Sequence, residues 1–278
     1  MAAIILDGKA LAAKVKREVA EQVAARVQAA PGLAVVIVGD NAASRIYVNA
    51  KKKDCEACGI NSFEFALPAD AGEGALLELI AELNARADVH GILVQLPLPA
   101  GYSEQAVIQA IAPEKDVDAF HFENVGKITT GDFIFLPCTP AGVMEILEHY
   151  GIDPAGKHCV VVGRSNIVGK PQALLLLHKH ATVTICHSRT PDLAAMTRQA
   201  DILVAAVGKP GLITADMVKP GAVVIDVAIN RKDNGKICGD VDFDGVSAVA
   251  SHITPVPGGV GPMTRAVLLR NTLKAAQI

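Results

Sequence analysis

Val160-Val161-Val162-Gly163-Arg164-Ser165-Asn166-Ile167-Val168-Gly169-Lys170-Pro171 is the stretch whose reading decides the fold. Its apolar run ends at a glycine, as a fully buried strand does. Gly-Lys-Pro then opens a leucine-rich segment, residues 173–177, that reads as a helix, and proline is tolerated in a first helical turn. Strand, tight turn and helix N-terminus can together present backbone N–H groups and the helix dipole to a phosphate. The spacing is Gly-x-Ser-x-x-x-Gly rather than Gly-x-Gly-x-x-Gly, so the turn alone leaves an ordinary strand-to-helix loop open.

The following residues favour a dinucleotide. Thr182-Val183-Thr184-Ile185-Cys186 is a second strand, about twenty residues beyond Gly163, where an NAD site usually places an acid for the ribose. Here the strand runs into His187-Ser188-Arg189, with no acid, and Arg164 sits inside the turn. Two arginines and a serine suit a 2′-phosphate; the plainer alternative is that both arginines are solvated surface charges. Ile202-Leu203-Val204-Ala205 and Ala222-Val223-Val224-Ile225-Asp226 read as further strands. The repeated strand–helix spacing predicts an α/β fold with a doubly wound parallel sheet.

Composition bounds the rest. A chain of 278 residues, 51% hydrophobic and 20% charged, can form one large domain or two medium ones. A net charge of −3 gives no reason to expect nucleic acid or an anionic membrane surface. No apolar run is long enough to span a bilayer, and the start lacks a basic leader, so no secretory signal is expected. Six scattered cysteines fit reduced thiols in a cytoplasmic protein. The one CxxC, Cys55-Glu56-Ala57-Cys58, lies in a helical pattern without a second pair and reads as structural.

In the first half, Leu11, Val15, Val19, Val23 and Val27 recur every four residues and predict one helix over residues 8–30. Residues 33–38, 61–67 and 91–94 read as strands. A helix over residues 43–58, capped by Asn41 or Ser44, puts Tyr47 and Lys51 on one face near a strand's carboxyl end. Lys51-Lys52-Lys53 is otherwise a solvated face. Gln95 stands at the end of a buried strand, again where α/β sites form. Pro113-Glu114-Lys115-Asp116-Val117-Asp118 is a charged loop with two aspartates, or simply a solvated connection. Pro137-Cys138-Thr139-Pro140 marks a boundary. Residues 254–264, dense in glycine and proline, predict a rigid loop ahead of a last helix over residues 265–276. No metalloprotease, nucleophile-elbow, P-loop or paired zinc motif is present, so no metal is expected.

Over essentially its whole length the chain resembles the bifunctional methylenetetrahydrofolate dehydrogenase/cyclohydrolases. The matching residues are Ser44-Arg45-Ile46-Tyr47-Val48-Asn49-Ala50-Lys51, Gly91-Ile92-Leu93-Val94-Gln95-Leu96-Pro97-Leu98-Pro99 and the charged loop 113–118. Pro137-Cys138-Thr139-Pro140, the turn 163–171 and Pro255-Val256-Pro257-Gly258-Gly259-Val260-Gly261-Pro262-Met263-Thr264 complete the set. Two positions depart: Ala119 and Ala228 stand where glycine is common.

The resemblance implies two α/β domains with the folate in the cleft between them. A folate domain would span residues 1–138, completed by a C-terminal helix over 265–278, and a Rossmann-like NADP domain would span 139–264. It also implies NADP-dependent oxidation of 5,10-methylenetetrahydrofolate to the methenyl compound, then hydrolysis to 10-formyltetrahydrofolate, within one-carbon metabolism and purine biosynthesis. Lys51 would be the catalytic lysine, assisted by Gln95. Tyr47 would stack on the folate, Asp118 would anchor its pterin, and Pro257, Gly258 and Gly259 would line its site. Gly163, Arg164, Ser165, Ser188 and Ile229 match cofactor-contacting positions. A homodimer through the NADP domain is implied, and no fused synthetase is expected. The chemistry agrees: hydride loss leaves a nitrogen-stabilised iminium and moves no proton, whereas hydrolysis needs a titratable group, for which Lys51 can serve. The rival readings are a dehydrogenase without the hydrolase, and a non-catalytic NADP-sensing module.

Overall fold

The computed structural model describes residues 2–231 and 235–278. Short apolar runs form its strands, and apolar spacings of three and four form its helices. The order is β1 (Ile4–Ile5), α1 (Gly8–Ala24), β2 (Gly32–Val38), α2 (Ala42–Ala57), β3 (Asn61–Leu67), α3 (Glu73–Ala85), β4 (Gly91–Val94), α4 (Glu104–Ala110), α5 (Phe122–Thr130) and α6 (Cys138–His149). It continues with β5 (His158–Val162), α7 (Gly169–His178), β6 (Thr182–Cys186), α8 (Leu193–Thr197), β7 (Ile202–Ala205), β8 (Val223–Asp226), β9 (Asn230–Arg231), β10 (Ile237–Cys238), α9 (Phe243–Ser247), β11 (His252–Ile253) and α10 (Val260–Ala275). These elements form two units: Ala13–Cys138 with Arg265–Ile278, and Met1–Ala12 with Thr139–Thr264.

In the first of these units, three parallel strands lie in the order β3-β2-β4. Central β2 is flanked on both edges, and all seven of its residues are buried. Ala34, Val36 and Val38 pack in one cluster with Leu76, Ile80 and Leu83 of α3 and Val107 of α4. The capping alternative at α2 resolves to Asn41, whose Oδ1 accepts the Ser44 N–H at 3.1 Å.

In the other unit, six parallel strands lie in the order β1-β11-β8-β7-β5-β6. From β5 the chain crosses to β6 on one side and β7 on the other. That reversal is the topological switch point, where an open α/β sheet leaves a crevice outside its strand ends.

Four expectations need correction. Residues 1–12 do not join the 13–138 unit, because β1 pairs in parallel with β11. The first helix ends at Ala24 rather than residue 30, and Val27 is 99% exposed. Arg26 turns aside there to donate to the Ala276 carbonyl at 2.9 Å. The last helix begins at Val260, so the end of the expected rigid loop is helical, with Pro262 in the first turn, where it sacrifices no hydrogen bond. α5 falls in a stretch with no expected element.

All six thiols are free of disulfides, and only Cys238 is more than marginally accessible. The CxxC pair is buried, and burial pushes Cys55 up to about 12. That is the behaviour of packing residues, as expected.

Gln172 of α7 is fully buried, and its Oε1 has no hydrogen-bond partner, while its Nε2 donates to Met144 Sδ at 3.3 Å. An orphaned buried acceptor costs about 1–3 kcal/mol. Gln172→Met, of similar length and apolar, is expected to raise the melting temperature by roughly 2–6 °C. Differential scanning calorimetry checks this, and an unchanged or lower midpoint counts against it.

Candidate functional site

Tyr47 and Lys51 stand one turn apart on α2, as their spacing requires. Lys51 Nζ donates to Gln95 Oε1 at 2.8 Å. Gln95 follows β4 directly, its backbone N–H donates to the Val36 carbonyl at 2.8 Å, and its Nε2 donates to the Leu96 carbonyl at 2.7 Å. The second of these bonds turns the amide so that its oxygen faces the lysine. The peptides Leu96–Pro97 and Val256–Pro257 are cis.

Withdrawal from water pushes the Lys51 amine below the ordinary lysine range; Asp118 opposes that shift, and the Arg265 charge adds to it. Burial likewise raises Asp118, against the pull of Lys51 and a hydrogen bond with the Cys138 side chain. The 13–138 unit thus brings Lys51, Gln95 and Asp118 together, and Tyr47, 37% exposed, shares the Lys51 face of α2.

Three supporting residues carry no role in the sequence reading, although Cys138 lies within the Pro137–Pro140 motif. Cys138 is buried, and its Sγ lies 3.4 Å from the Val117 carbonyl. Asn271 of α10 donates to the carbonyls of Val117 at 2.8 Å and Leu136 at 3.0 Å. It thereby ties the Asp118 segment to the start of α6. Arg265 contacts Asp54 at 2.7 Å, and Lys16 contacts the same carboxylate at 2.8 Å. No signal in the sequence joins these positions, which are distant in the chain.

Asp116, the other aspartate of the charged loop, does different work. Its Oδ2 accepts the His121 N–H at 2.7 Å and Asn124 Nδ2 at 2.9 Å, and burial pushes it up to about 6. Ala119 has a φ of 58° and is fully buried. The left-handed backbone costs a side chain about 1 kcal/mol, and burying one methyl returns roughly 0.8 kcal/mol, so alanine is tolerated. Ala228 is not among the residues with positive φ, so nothing in its backbone demands glycine.

In the other unit, a cavity of about 430 Å³ opens beyond the ends of β5, β6 and β7. Gly163, Arg164, Ser165 and Ser188 line it. His187, Thr190, Val207 and Lys209 line it too, and these were not singled out for it; their positions just past strand ends are the signal that could have found them. No acidic residue is among its lining, and neither is Arg189 or Ile229, which is 45% exposed on the loop after β8. Gly163 has a φ of 132°, and a Cβ there would meet the Ala206 carbonyl oxygen at 2.3 Å; one on Gly169 would meet the Gly163 carbonyl oxygen at 2.3 Å. The turn is therefore closed so tightly that both positions exclude a side chain.

The expected use of the helix N–H groups needs adjusting. Ser165 Oγ accepts the N–H groups of Val168 and Gly169, both at 3.2 Å, and the Ser165 carbonyl accepts that of Lys170 at 3.0 Å. The helix start is thus capped from within. Arg164 and Lys209 still give the cavity a positive lining, and the glycine turn lets a ligand approach the backbone closely. Pro257, Gly258 and Gly259 lie at the entry to α10, where Gly258 has a φ of 116°.

A parallel sheet with such a cavity at its switch point defines the class: an α/β oxidoreductase of the dinucleotide-binding kind. Residues 6–118 match the catalytic domain, and residues 137–278 the NAD(P)-binding domain, of the tetrahydrofolate dehydrogenase/cyclohydrolases, and the chain belongs to that family. The bifunctional protein FolD of Paracidovorax citrulli is 58% identical over 279 residues, covering 100% of this chain and 99% of its own. The crystal structure of the Campylobacter jejuni bifunctional enzyme FolD is similar with a TM-score of 0.96, at 51% identity over 99% of each chain. The Trypanosoma brucei dehydrogenase-cyclohydrolase, complexed with NADP cofactor and inhibitor, is similar with a TM-score of 0.95 at 41% identity, covering 100% of this chain and 98% of its own. The chain is accordingly an oxidoreductase and a hydrolase of one-carbon metabolism, an NAD(P)-dependent methylenetetrahydrofolate dehydrogenase and cyclohydrolase that forms 10-formyltetrahydrofolate.

The charges around Lys51 make its titration testable. Removing the Arg265 charge takes away a repulsion, so Arg265→Leu is expected to raise the Lys51 pKa. Asp118→Asn removes an attraction and is expected to lower that pKa. Lysine-selective NMR titration checks both signs.

Proposed function

We propose that Lys51, oriented by Gln95, handles the proton of the hydrolytic step, and that the chain prefers NADP to NAD. The observation that carries the first part is the 2.8 Å hydrogen bond from Lys51 to Gln95 at an amine whose burial favours its neutral form. Water adds to the methenyl carbon as Lys51 takes one of its protons. The resulting ammonium then protonates the ring nitrogen as the carbon–nitrogen bond breaks, and one proton is released overall. Gln95 keeps Nζ in place through both transfers. Tyr47 stacks on the folate and Asp118 accepts N–H groups of its pterin. Pro257, Gly258 and Gly259 enter this reading on the resemblance alone.

In the oxidation, the bound nicotinamide supplies the acceptor for a hydride from the one-carbon bridge. The protein's own part there is orientation, since no proton moves. Gly163, Arg164, Ser165, Ser188 and Ile229 are the proposed cofactor contacts, with Arg164 on the 2′-phosphate. Supporting this are the position of Arg164 in the cavity lining and the absence of any acid there. The proposal extends to a cytoplasmic homodimer that pairs through the dinucleotide-binding unit and supplies purine biosynthesis. Among the described residues no helix is long and apolar enough to cross a membrane.

Lys51→Met keeps the apolar stem and removes the amine. Hydrolysis of supplied methenyltetrahydrofolate is expected to fall to near background, while NADP-linked oxidation falls less. Hydrolysis at near wild-type rate in this paired assay refutes the role of Lys51, and this assay is also the test of the main reading.

A charge-assisted arginine–phosphate contact is worth about 1.5–3 kcal/mol. The wild type is therefore expected to prefer NADP by roughly ten- to a hundredfold in kcat/KM, and Arg164→Ala to lose most of that preference. Equal use of both cofactors by the wild type counts against the assignment.

A further inference from the structure

Asp240 is fully buried, and its carboxylate is surrounded by donors from one loop and one strand end. Oδ2 accepts the backbone N–H groups of Val207 at 2.6 Å and Gly208 at 3.0 Å. Oδ1 accepts the Lys209 N–H at 2.6 Å and Asn230 Nδ2 at 3.0 Å. The first three donors belong to the loop after β7, which contributes Val207 and Lys209 to the cavity lining. The fourth belongs to Asn230, which follows Ile229 and opens β9. A carboxylate offers about four acceptor positions, and here each oxygen takes two donors.

Asp240 is itself held from below. Its backbone N–H donates to Asp226 Oδ1 at 3.0 Å, and the next one, from Val241, donates to Asp226 Oδ2 at 2.9 Å. The Asp226 N–H in turn donates to Thr254 Oγ1 at 2.7 Å. Gly239 makes this stacking possible, since a Cβ there would stand 1.8 Å from Asp226 Oδ2.

We propose that Asp240 is a positioning residue for the cofactor: its carboxylate locks the loop after β7 and the start of β9 in the shape that binds NADP. This rests on the reading of the cavity as the cofactor site. Three consecutive N–H groups aimed at one buried group leave the loop a single conformation. Without that group the loop must be ordered by the incoming ligand, and ordering costs affinity. Asp240→Asn preserves the volume but replaces one oxygen with a donor, which then faces two donors.

The test compares NADP dissociation constants, measured by calorimetry, for the wild type, Asp240→Asn, Asn230→Ala and Arg164→Ala. Hydrolysis of methenyltetrahydrofolate without NADP and the melting temperature are measured on each. Asp240→Asn is expected to weaken NADP by about tenfold or more, with cofactor-free hydrolysis within about twofold of wild type. Asn230→Ala withdraws one donor of the four and is expected to weaken NADP less, by roughly two- to fivefold. If Arg164→Ala weakens NADP but Asp240→Asn leaves it unchanged, the cavity reading stands and the role of Asp240 is overturned. If Arg164→Ala also has no effect, the cavity reading fails and takes the proposal with it. A parallel loss of hydrolysis, NADP binding and melting temperature in Asp240→Asn assigns it a structural role only and overturns the proposal. Should that variant not fold, unchanged affinity in Asn230→Ala overturns it.

Discussion

The hydrogen bond between Lys51 and Gln95 joins a helix to the end of a strand, and the placement of the buried amine in the 13–138 unit depends on it. A lysine carries a long flexible stem, and holding its tip costs rotamer entropy unless a fixed partner waits for it. Gln95 is such a partner, because its own amide is held by the next carbonyl and its backbone by β2. Burial then pushes the amine below the ordinary lysine range and so favours its neutral form. Asp118 and Arg265 act on that amine with opposite sign, so its titration reflects a balance of neighbours and not burial alone.

The parts legible in the sequence are those with a period or a local rule. The run at 160–162 and the glycine after it identify a buried strand, and a strand it is. The four-residue spacing of Tyr47 and Lys51 places both on one helix face for the same reason. β1 was not legible, since two isoleucines become a strand only through partners near the other end of the chain. Ser165 shows a subtler limit: its residue type suits a phosphate contact and a helix cap alike, and only coordinates reveal the N–H groups it accepts. Asn271 braces the Asp118 segment from a position in no quoted motif, and Cys138 does so from a motif that carries no hint of the contact.

One motif turns out to hold three separate jobs. In the charged loop 113–118, Lys115 Nζ donates to the carbonyls of Asn84 at 2.8 Å and Arg86 at 2.7 Å, and so satisfies the exposed end of α3. Asp116 gathers donors from the residues leading into α5. Only Asp118 faces the lysine. A sequence signature that looks like one functional unit is therefore mostly architecture, with a single chemical position at its end.

The distribution of thiols has a practical meaning. Cys238 is the one cysteine that reagents reach in the native protein, while Cys55, Cys58 and Cys138 lie buried in one unit and Cys159 and Cys186 in the other. Burial also holds these five above the ordinary thiol range, so they are poor nucleophiles where they stand. Each can be alkylated only after its surroundings open. The wild-type chain thus carries its own set of clocks: a fast one that reports on the surface, and two slow groups whose rates read the opening of each unit separately, without any residue being changed.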